Sequence, residues 1–510
     1  MDKIVVLDFG SQYSHLICRR IRESNVYCEL LPFNSPASLI KKLQPKGIVL
    51  SGGPSSVYQK GSPKPDIEIF KMGIPVLGIC YGHQLIVDHF NGKIKRFDNR
   101  EYGYSDLVID NNSDLFKGIN KKIKCWMSHA DAAEIIPNDF EILAHTENSH
   151  SAAIANRVRK FYGIQFHPEV SHTEEGNRIL RNFSQTISKA KPDWTMQSFI
   201  DFSIKDIKNK VGDSRVLCAI SGGIDSTTLA VLLNKAIGKN LTCVFVNNGL
   251  LRLNEEIQVH ELINKYLGIN TVKINAEERF LSNLKGISDP EQKRKIIGEE
   301  FAQVFVEVTR DYGPFQWLAQ GTLYPDVIES GLSKGPAAVI KTHHNVGGLP
   351  EWLNLEVLEP FRSLYKDEVR QIAALLEIPD EIIKRHPFPG PGLAVRIIGE
   401  VTDEKIRIVR QASNIVENEL MTSGWYNKVW QAYAAVGDDL AVGVLGDERV
   451  YGHIVTVRIV ESLDAMTADW SRIPYDLLSK ISNRITNEIN GVTWVTYTIS
   501  SKPPATIEPQ

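Results

Sequence analysis

The sequence predicts an α/β protein: two doubly wound, mostly parallel-sheet domains followed by a small α/β unit. Three observations carry this. Short apolar runs alternate with helix-like patterns through the first two segments. Two of those runs end in glycine-bearing turns that open a helix, at residues 78–84 and 221–226. A proline–glycine stretch at residues 385–393 then marks a boundary, beyond which strands and helices alternate on a smaller scale. A chain of 510 residues suggests about three domains, expected at 1–190, 191–385 and 386–510.

Composition narrows the class. With 43% hydrophobic and 23% charged residues, each domain can bury a core of its own. A net charge of -3 gives no sign of a nucleic-acid partner, and no apolar run is long enough to span a membrane. The first eight residues are charged too early for a signal peptide. Six scattered cysteines without a Cys-x-x-Cys pair argue against a zinc site or a disulfide framework, and for a reducing cytoplasm.

In the first segment, Lys3 to Asp8 reads as a strand and Tyr13 to Glu23 as an amphipathic helix. Two further short strands run from Gly47 to Leu50 and from Ile74 to Ile79. The last ends at Gly78-Ile79-Cys80-Tyr81-Gly82, a cysteine flanked by glycines where a strand meets a helix. Glycines there permit the sharp turn that lifts a nucleophile out of the sheet, and the helix N-terminus favours its thiolate. A strand from Phe161 to Phe166 leads into His167-Pro168-Glu169. If that stretch stays extended, His167 and Glu169 point to one side, so His167 can take the Cys80 proton while Glu169 orients the ring.

A polar linker at residues 189–195 precedes a helix predicted from Met196 to Val211. The strand from Arg215 to Ile220 then runs into Ser221-Gly222-Gly223-Ile224-Asp225-Ser226-Thr227 and a helix. Loop amides and a helix N-terminus aimed at one point bind phosphate. Asp225 fits beside phosphate if Mg²⁺ lies between them. No Gly-Lys-Ser/Thr follows, so this is not the common P-loop. Backbone near Val246, at the end of the next strand, is a candidate adenine site. A basic helix start holds Arg294; composition alone reads it as a solvated face, function as a phosphate-contacting lid. Residues 341–350, with Lys341, His343 and His344, read as a substrate loop. In the third segment helices are expected near 403–422 and 474–490, and strands near 453–460 and 493–499.

The 221–226 loop resembles the pyrophosphate-binding SGGxDS loop of the ATP pyrophosphatase family, which splits ATP into AMP and pyrophosphate while adenylating a substrate oxygen. The first segment resembles the class I glutamine amidotransferase domain. That resemblance implies a Cys80–His167–Glu169 triad releasing ammonia from glutamine, an oxyanion hole of the Gly53 and Tyr81 amides, and glutamine held by Gln84 and residues 128–131. It leaves His83 and His129 structural.

The ordered runs DPEQKRKIIG, GTLYPDVIES, HHNVGGLP, HPFPGPGL and KPPATIE make the whole chain similar to the glutamine-hydrolysing GMP synthetase family. This implies that ATP, with Mg²⁺, adenylates the C2 oxygen of XMP, and that ammonia displaces AMP to give GMP. It also implies a cytoplasmic homodimer joined through the third domain, with XMP contacts at Arg294, Gln431, Lys502 and Glu508. The alternative is a related adenylating amidotransferase with another acceptor. Three positions depart from the family pattern: Trp494 replaces an arginine that helps hold the XMP phosphate, Asn247 replaces an aspartate, and Pro509-Gln510 replaces Trp-Glu. Arg458 or Arg484 is a candidate to supply the missing cation.

Overall fold

The computed structural model describes residues 1–112, 114–266, 268–269, 271–324, 326–327, 355–462 and 467–510. The proposed substrate loop with Lys341, His343 and His344 lies outside these residues. The chain forms two compact units, Met1–Phe199 and Ile200–Gln510.

The first unit is built on one nine-stranded sheet. Its strands are β1 (Lys3–Asp8), β2 (Tyr27–Pro32), β3 (Gly47–Leu50), β4 (Val76–Ile79), β5 (Lys93–Ile109), β6 (Lys122–Ile135), β7 (Glu141–His145), β8 (Ala153–Asn156) and β9 (Phe161–Ile164), in the order β2-β1-β3-β4-β9-β8-β7-β5-β6. From β2 to β9 the neighbours run parallel. From β9 to β6 they run antiparallel. The sheet is therefore mixed, where the sequence suggested a mostly parallel one. Antiparallel neighbours need only short turns, and β7, β8 and β9 follow one another with such turns. The polar β5–β6 ribbon lacks the continuous apolar runs that mark buried parallel strands.

Helices α1 (Ser14–Glu23), α2 (Ala37–Leu43), α3 (Tyr81–His89) and α4 (Gly176–Arg181) complete this unit. Strands β3 and β4 are buried throughout, and apolar clusters form around Val6, Val49 and Ile164 and around Val5, Leu50 and Tyr81. Register decides what meets at the sheet's carboxyl end. Ile79 of β4 pairs with Ile164 of β9, so residues 80 and 165–169 leave adjacent strands side by side.

Helix α5 (Met196–Val211) has the bounds the sequence predicts and carries the chain from the first unit into the second. The first sheet of the second unit contains β10 (Val216–Ala219), β11 (Leu241–Asn247), β12 (Thr271–Asn275), β13 (Trp317–Ala319) and β14 (Glu356–Leu358), all parallel, in the order β12-β11-β10-β13-β14. The order reverses at β10, which places the loop after it at the switch point where such sheets bind ligands. Helix α6 (Ile224–Ile237) follows that loop, then α7 (Glu255–Glu261), α8 (Glu277–Leu284) and α9 (Pro290–Tyr312). Helix α9 starts where Asp289 accepts the Gln292 N–H at 2.8 Å and Pro290 takes the first position.

Helices α10 (Lys366–Leu375), α11 (Asp380–Ile383), α12 (Asp403–Thr422) and α13 (Tyr475–Glu488) lead to the last sheet. There β15 (Gln431–Leu445) and β16 (Glu448–Glu461) form a long antiparallel hairpin, β17 (Asp469–Trp470) extends it, and β18 (Val492–Tyr497) pairs parallel with β16. The expected divide at 385/386 falls inside this unit. One apolar cluster runs from Leu217 and Val244 through Leu393 to Val457 and Ile481.

The cysteine turn depends on missing side chains. A Cβ on Gly78 would strike the Gly82 carbonyl, and one on Gly82 would strike Leu50 O. Gly82→Ala is expected to destabilise the protein by about 1–3 kcal/mol through overpacking against backbone that cannot yield. Chemical denaturation of the two forms checks it; equal midpoints would show that the strand end relaxes freely.

Candidate functional site

In the first unit the β4–α3 turn holds Cys80 at φ 52° and ψ -103°, a conformation that non-glycine residues rarely adopt and that surrounding structure must enforce. The predicted partners converge on it. The imidazole Nδ1 of His167 lies 2.7 Å from Glu169 Oε1, and the Cys80 sulfur, whose thiol points toward Ser128 O at 3.9 Å, is near enough to the same ring to raise its pKa. They meet although β9 ends at Ile164 and residues 167–169 are not in a strand. Burial disfavours the charged imidazole. The Glu169 carboxylate and the Cys80 sulfur outweigh it and hold His167 well above its ordinary pKa of 6.5. Tyr13 packs edge-on against the His167 ring at 5.3 Å.

Gly52 lies between these groups, where a Cβ would come 3.1 Å from His167 Cε1 and 3.7 Å from Cys80 Cβ. Gly53 follows it, with its own Cβ position 2.7 Å from Phe9 O. The Gly82 amide bonds Ser51 O, which ties the turn after β3 to the first turn of α3, where Tyr81 stands. Gln84 donates to Asp131 O at 2.8 Å, and Asp131 accepts from Ser56 and Tyr58, so Gln84 and residues 128–131 form one wall. His83 is wholly buried with neither ring nitrogen bonded among the described residues, and burial and nearby His129 push its pKa down to about 3. It is a neutral packing residue. His129 lies 3.3 Å from buried Glu101.

In the second unit the loop after β10 is tied by its serines. Ser226 Oγ accepts from the Ser221 amide at 3.1 Å, and Ser221 Oγ accepts from the Gly223 amide at 3.3 Å. Gly222 has φ +76° and no room for a Cβ beside Val259. Asp225 in the first turn of α6 pairs through Oδ2 with Lys366 at the start of α10, while its Oδ1 is buried without a partner among the described residues. Lys366 escaped the sequence reading, since one lysine 141 residues away in an ordinary helix start carries no signal. Thr227 is buried, and Val246 lies near the end of β11.

The four proposed acceptor contacts gather around the chain's last residues. Gln431 Nε2 donates to Glu508 Oε1 at 2.6 Å, and Arg294 Nη2 reaches Gln510 O at 2.7 Å. Arg396 pairs with both Glu508 oxygens at 3.0 and 3.1 Å. Lys502 exchanges backbone hydrogen bonds with Ala468, within a loop whose ends are held by Arg458.

The model of class-I glutamine amidotransferases matches residues 5–186, that of NAD synthase residues 196–302, and that of the GMP synthase C-terminal domain residues 418–509. A glutamine-hydrolyzing GMP synthase of Caldanaerobacter subterraneus is 54% identical over 99% of each chain. The chain belongs to the glutamine-hydrolyzing GMP synthase family. Further members from Brachyspira hyodysenteriae, at 52% identity over 100% of this chain and 99% of that one, and Carboxydothermus hydrogenoformans, at 53% over 99% of each, span its full length as well.

Two departures from the family pattern acquire a physical account. Trp494 is half-exposed on β18 and donates its indole N–H to Val442 O at 2.9 Å. Neither cation named as a substitute is spare: Arg458 spends its donors on Ser500, Thr506 and Ile507 carbonyls, and Arg484 on Glu419 and Glu488. Asn247 donates its amide toward Glu256 at 3.0 Å and Glu277 at 3.4 Å. It is the neutral donor between two carboxylates, so Asn247→Asp would set three acids together. We expect that variant to lose about 1–3 kcal/mol of stability at pH 7 and to regain part of it as the pH falls toward 5. Denaturant titrations at both pH values check this; an equal loss at each would show that charge is not the cause.

Proposed function

We infer that the family reaction, glutamine-dependent synthesis of GMP, is divided in this chain between two self-contained sites. The observation supporting this division is that the cysteine set is complete within residues 80–169 and the anion loop with its cation within residues 221–366.

At the first site Cys80 Sγ attacks the side-chain carboxamide of glutamine. His167 takes the thiol proton and passes it to the departing ammonia, leaving a glutamyl thioester. The Gly53 and Tyr81 amides hold the oxyanion, and Glu169 keeps the imidazole turned toward sulfur. His167 then deprotonates the water that releases glutamate.

At the second site residues 221–227 receive the pyrophosphate end of ATP, with adenine near Val246. The C2 oxygen of XMP attacks the α-phosphorus, pyrophosphate leaves into the loop beside Lys366, and ammonia then displaces AMP to give GMP. Among the described residues no three His, Cys, Asp or Glu gather as a metal cage. The bare Asp225 Oδ1 suits a Mg²⁺ shared with the phosphates, whose charge it would neutralise. Arg294, Gln431, Lys502 and Glu508 are the proposed XMP contacts. The reading assigns residues 1–190, 191–385 and 386–510 to glutamine hydrolysis, ATP chemistry, and pairing with XMP binding. Its substrates are small molecules, no nucleic acid is involved, and the reducing cytoplasm suits its six free cysteines. Among the described residues no helix is long and apolar enough to cross a membrane.

Cys80→Ala is expected to lower glutamine-driven GMP formation at least about 10³-fold, and Glu169→Gln about 10²-fold. Free ammonia should restore product in both. Failure of ammonia to rescue Cys80→Ala would sink the division of labour.

The homodimer has a candidate face. Leu440, Val442 and Val444 on β15, Tyr451 opposite Val442 on β16, and Trp494 expose apolar surface on the last sheet. Changing Val442 and Val444 together to Asp is expected to turn a dimer into a monomer in sedimentation velocity. A dimer that persists would place the contact elsewhere.

A further inference from the structure

Lys293 lies in the first turn of α9 and has no exposed surface. A buried ammonium must find a partner for each donor or give up its charge. Lys293 finds three: Ile397 O at 2.7 Å, Ala394 O at 3.4 Å and Gln510 Oε1 at 2.7 Å. The next residue, Arg294, takes the main-chain oxygen of Gln510. Consecutive cations of one helix therefore grip both polar ends of residue 510.

The turn whose carbonyls receive Lys293 also carries Arg396. Its buried guanidinium forks onto Glu508 and lies over the Tyr433 and Phe388 rings, at 4.4 and 5.0 Å. Upstream, Arg458 holds the carbonyls of Ser500, Thr506 and Ile507, and Tyr433 OH also donates to Ile507 O. Glu508 is thus suspended between two anchors, one at 500–507 and one at 510.

We propose that Lys293 is a positioning residue of the acceptor-nucleotide site, pinning Gln510 to the 394–397 turn so that Glu508 stays on Arg396 and Gln431. This rests on the reading that XMP binds at Arg294, Gln431, Lys502 and Glu508. Lys293 touches the tail and the turn, and acts on the nucleotide through them.

The surroundings make the anchor sensitive to pH. Facing Lys293 are Lys405 of α12, Asp438 of β15 and Asp289, which caps its own helix. Burial and Lys405 push its pKa down to about 8, against the pull of Asp438 and Asp289. Lys405 is itself spent on Asp438 and on Glu400 O. Below pH 8 the ammonium has three donors for three acceptors. Above it, a neutral amine has two N–H groups and no charge, so the grip weakens as pH rises. A carboxylate at position 510 would favour the ammonium and move that weakening upward.

The test is ammonia-driven GMP formation, which bypasses Cys80, measured as KM for XMP and kcat from pH 7.0 to 9.5. Gln510→Leu should raise KM about five- to tenfold, the size of one charge-assisted hydrogen bond, with kcat changed less than about twofold. In the unaltered protein KM should climb above about pH 8. Gln510→Glu should keep the low KM at pH 7.5 and delay the climb by about one pH unit. An unchanged KM in Gln510→Leu would overturn the proposal. Glu508→Ala separates the two layers: if it too leaves KM unchanged, the acceptor-site reading fails, and if it raises KM while Gln510→Leu does not, only the role of Lys293 fails.

Discussion

Both reactive loops rest on one constraint: at the carboxyl end of a buried parallel strand, the turn must pass its neighbour with no side chain of its own in the way. At the cysteine turn Gly78 and Gly82 let the strand, the helix start and Leu50 meet backbone to backbone. At the phosphate loop Gly222 lets the chain fold against Val259. The geometry that follows is costly to the residue at its apex, and Cys80 sits at positive φ because its neighbours leave no other path. A nucleophile held this way needs little reorganisation before it reacts.

Around these turns charge is handled by pairing rather than by exposure. His167 and Glu169 are both buried, and each makes the other's charge tolerable. Asn247 relieves two carboxylates without adding a third. Arg396, Arg458 and Lys293 are buried cations whose partners all include the last eleven residues of the chain. The tail is therefore an integral wall of the second unit, fixed by groups from α9, the 394–397 turn, β15 and β16.

Much of this was legible in the sequence because the residues involved are local. Glycine spacing around Cys80 and the serines around Gly222 report strand–turn–helix geometry directly, and the capped start of α9 follows from Asp289-Pro290. The antiparallel half of the first sheet was not legible, because β5 and β6 are polar ribbons whose partner is set by the sheet they join. Strand β15 was missed for a related reason: its outer half exposes Leu440, Val442 and Val444, which blurs the alternation that marks a one-sided strand. Lys366 and Lys293 belong to the same class of omission. Each is an unremarkable lysine until the fold brings a carboxylate or a tail from far along the chain.

The burial of the cysteines has a practical consequence. Cys18, Cys28, Cys125, Cys218 and Cys243 have no exposed surface, and burial pushes the Cys125 thiol up to about 12. Cys80 alone keeps a sliver of accessibility, 6%, at the turn where the His167 ring stands ready to take its proton. In the folded protein a small electrophile therefore meets a single competent sulfur. The chain carries its own stoichiometric titrant: one equivalent of label, counted by intact mass, reports the fraction of molecules whose first site is correctly assembled.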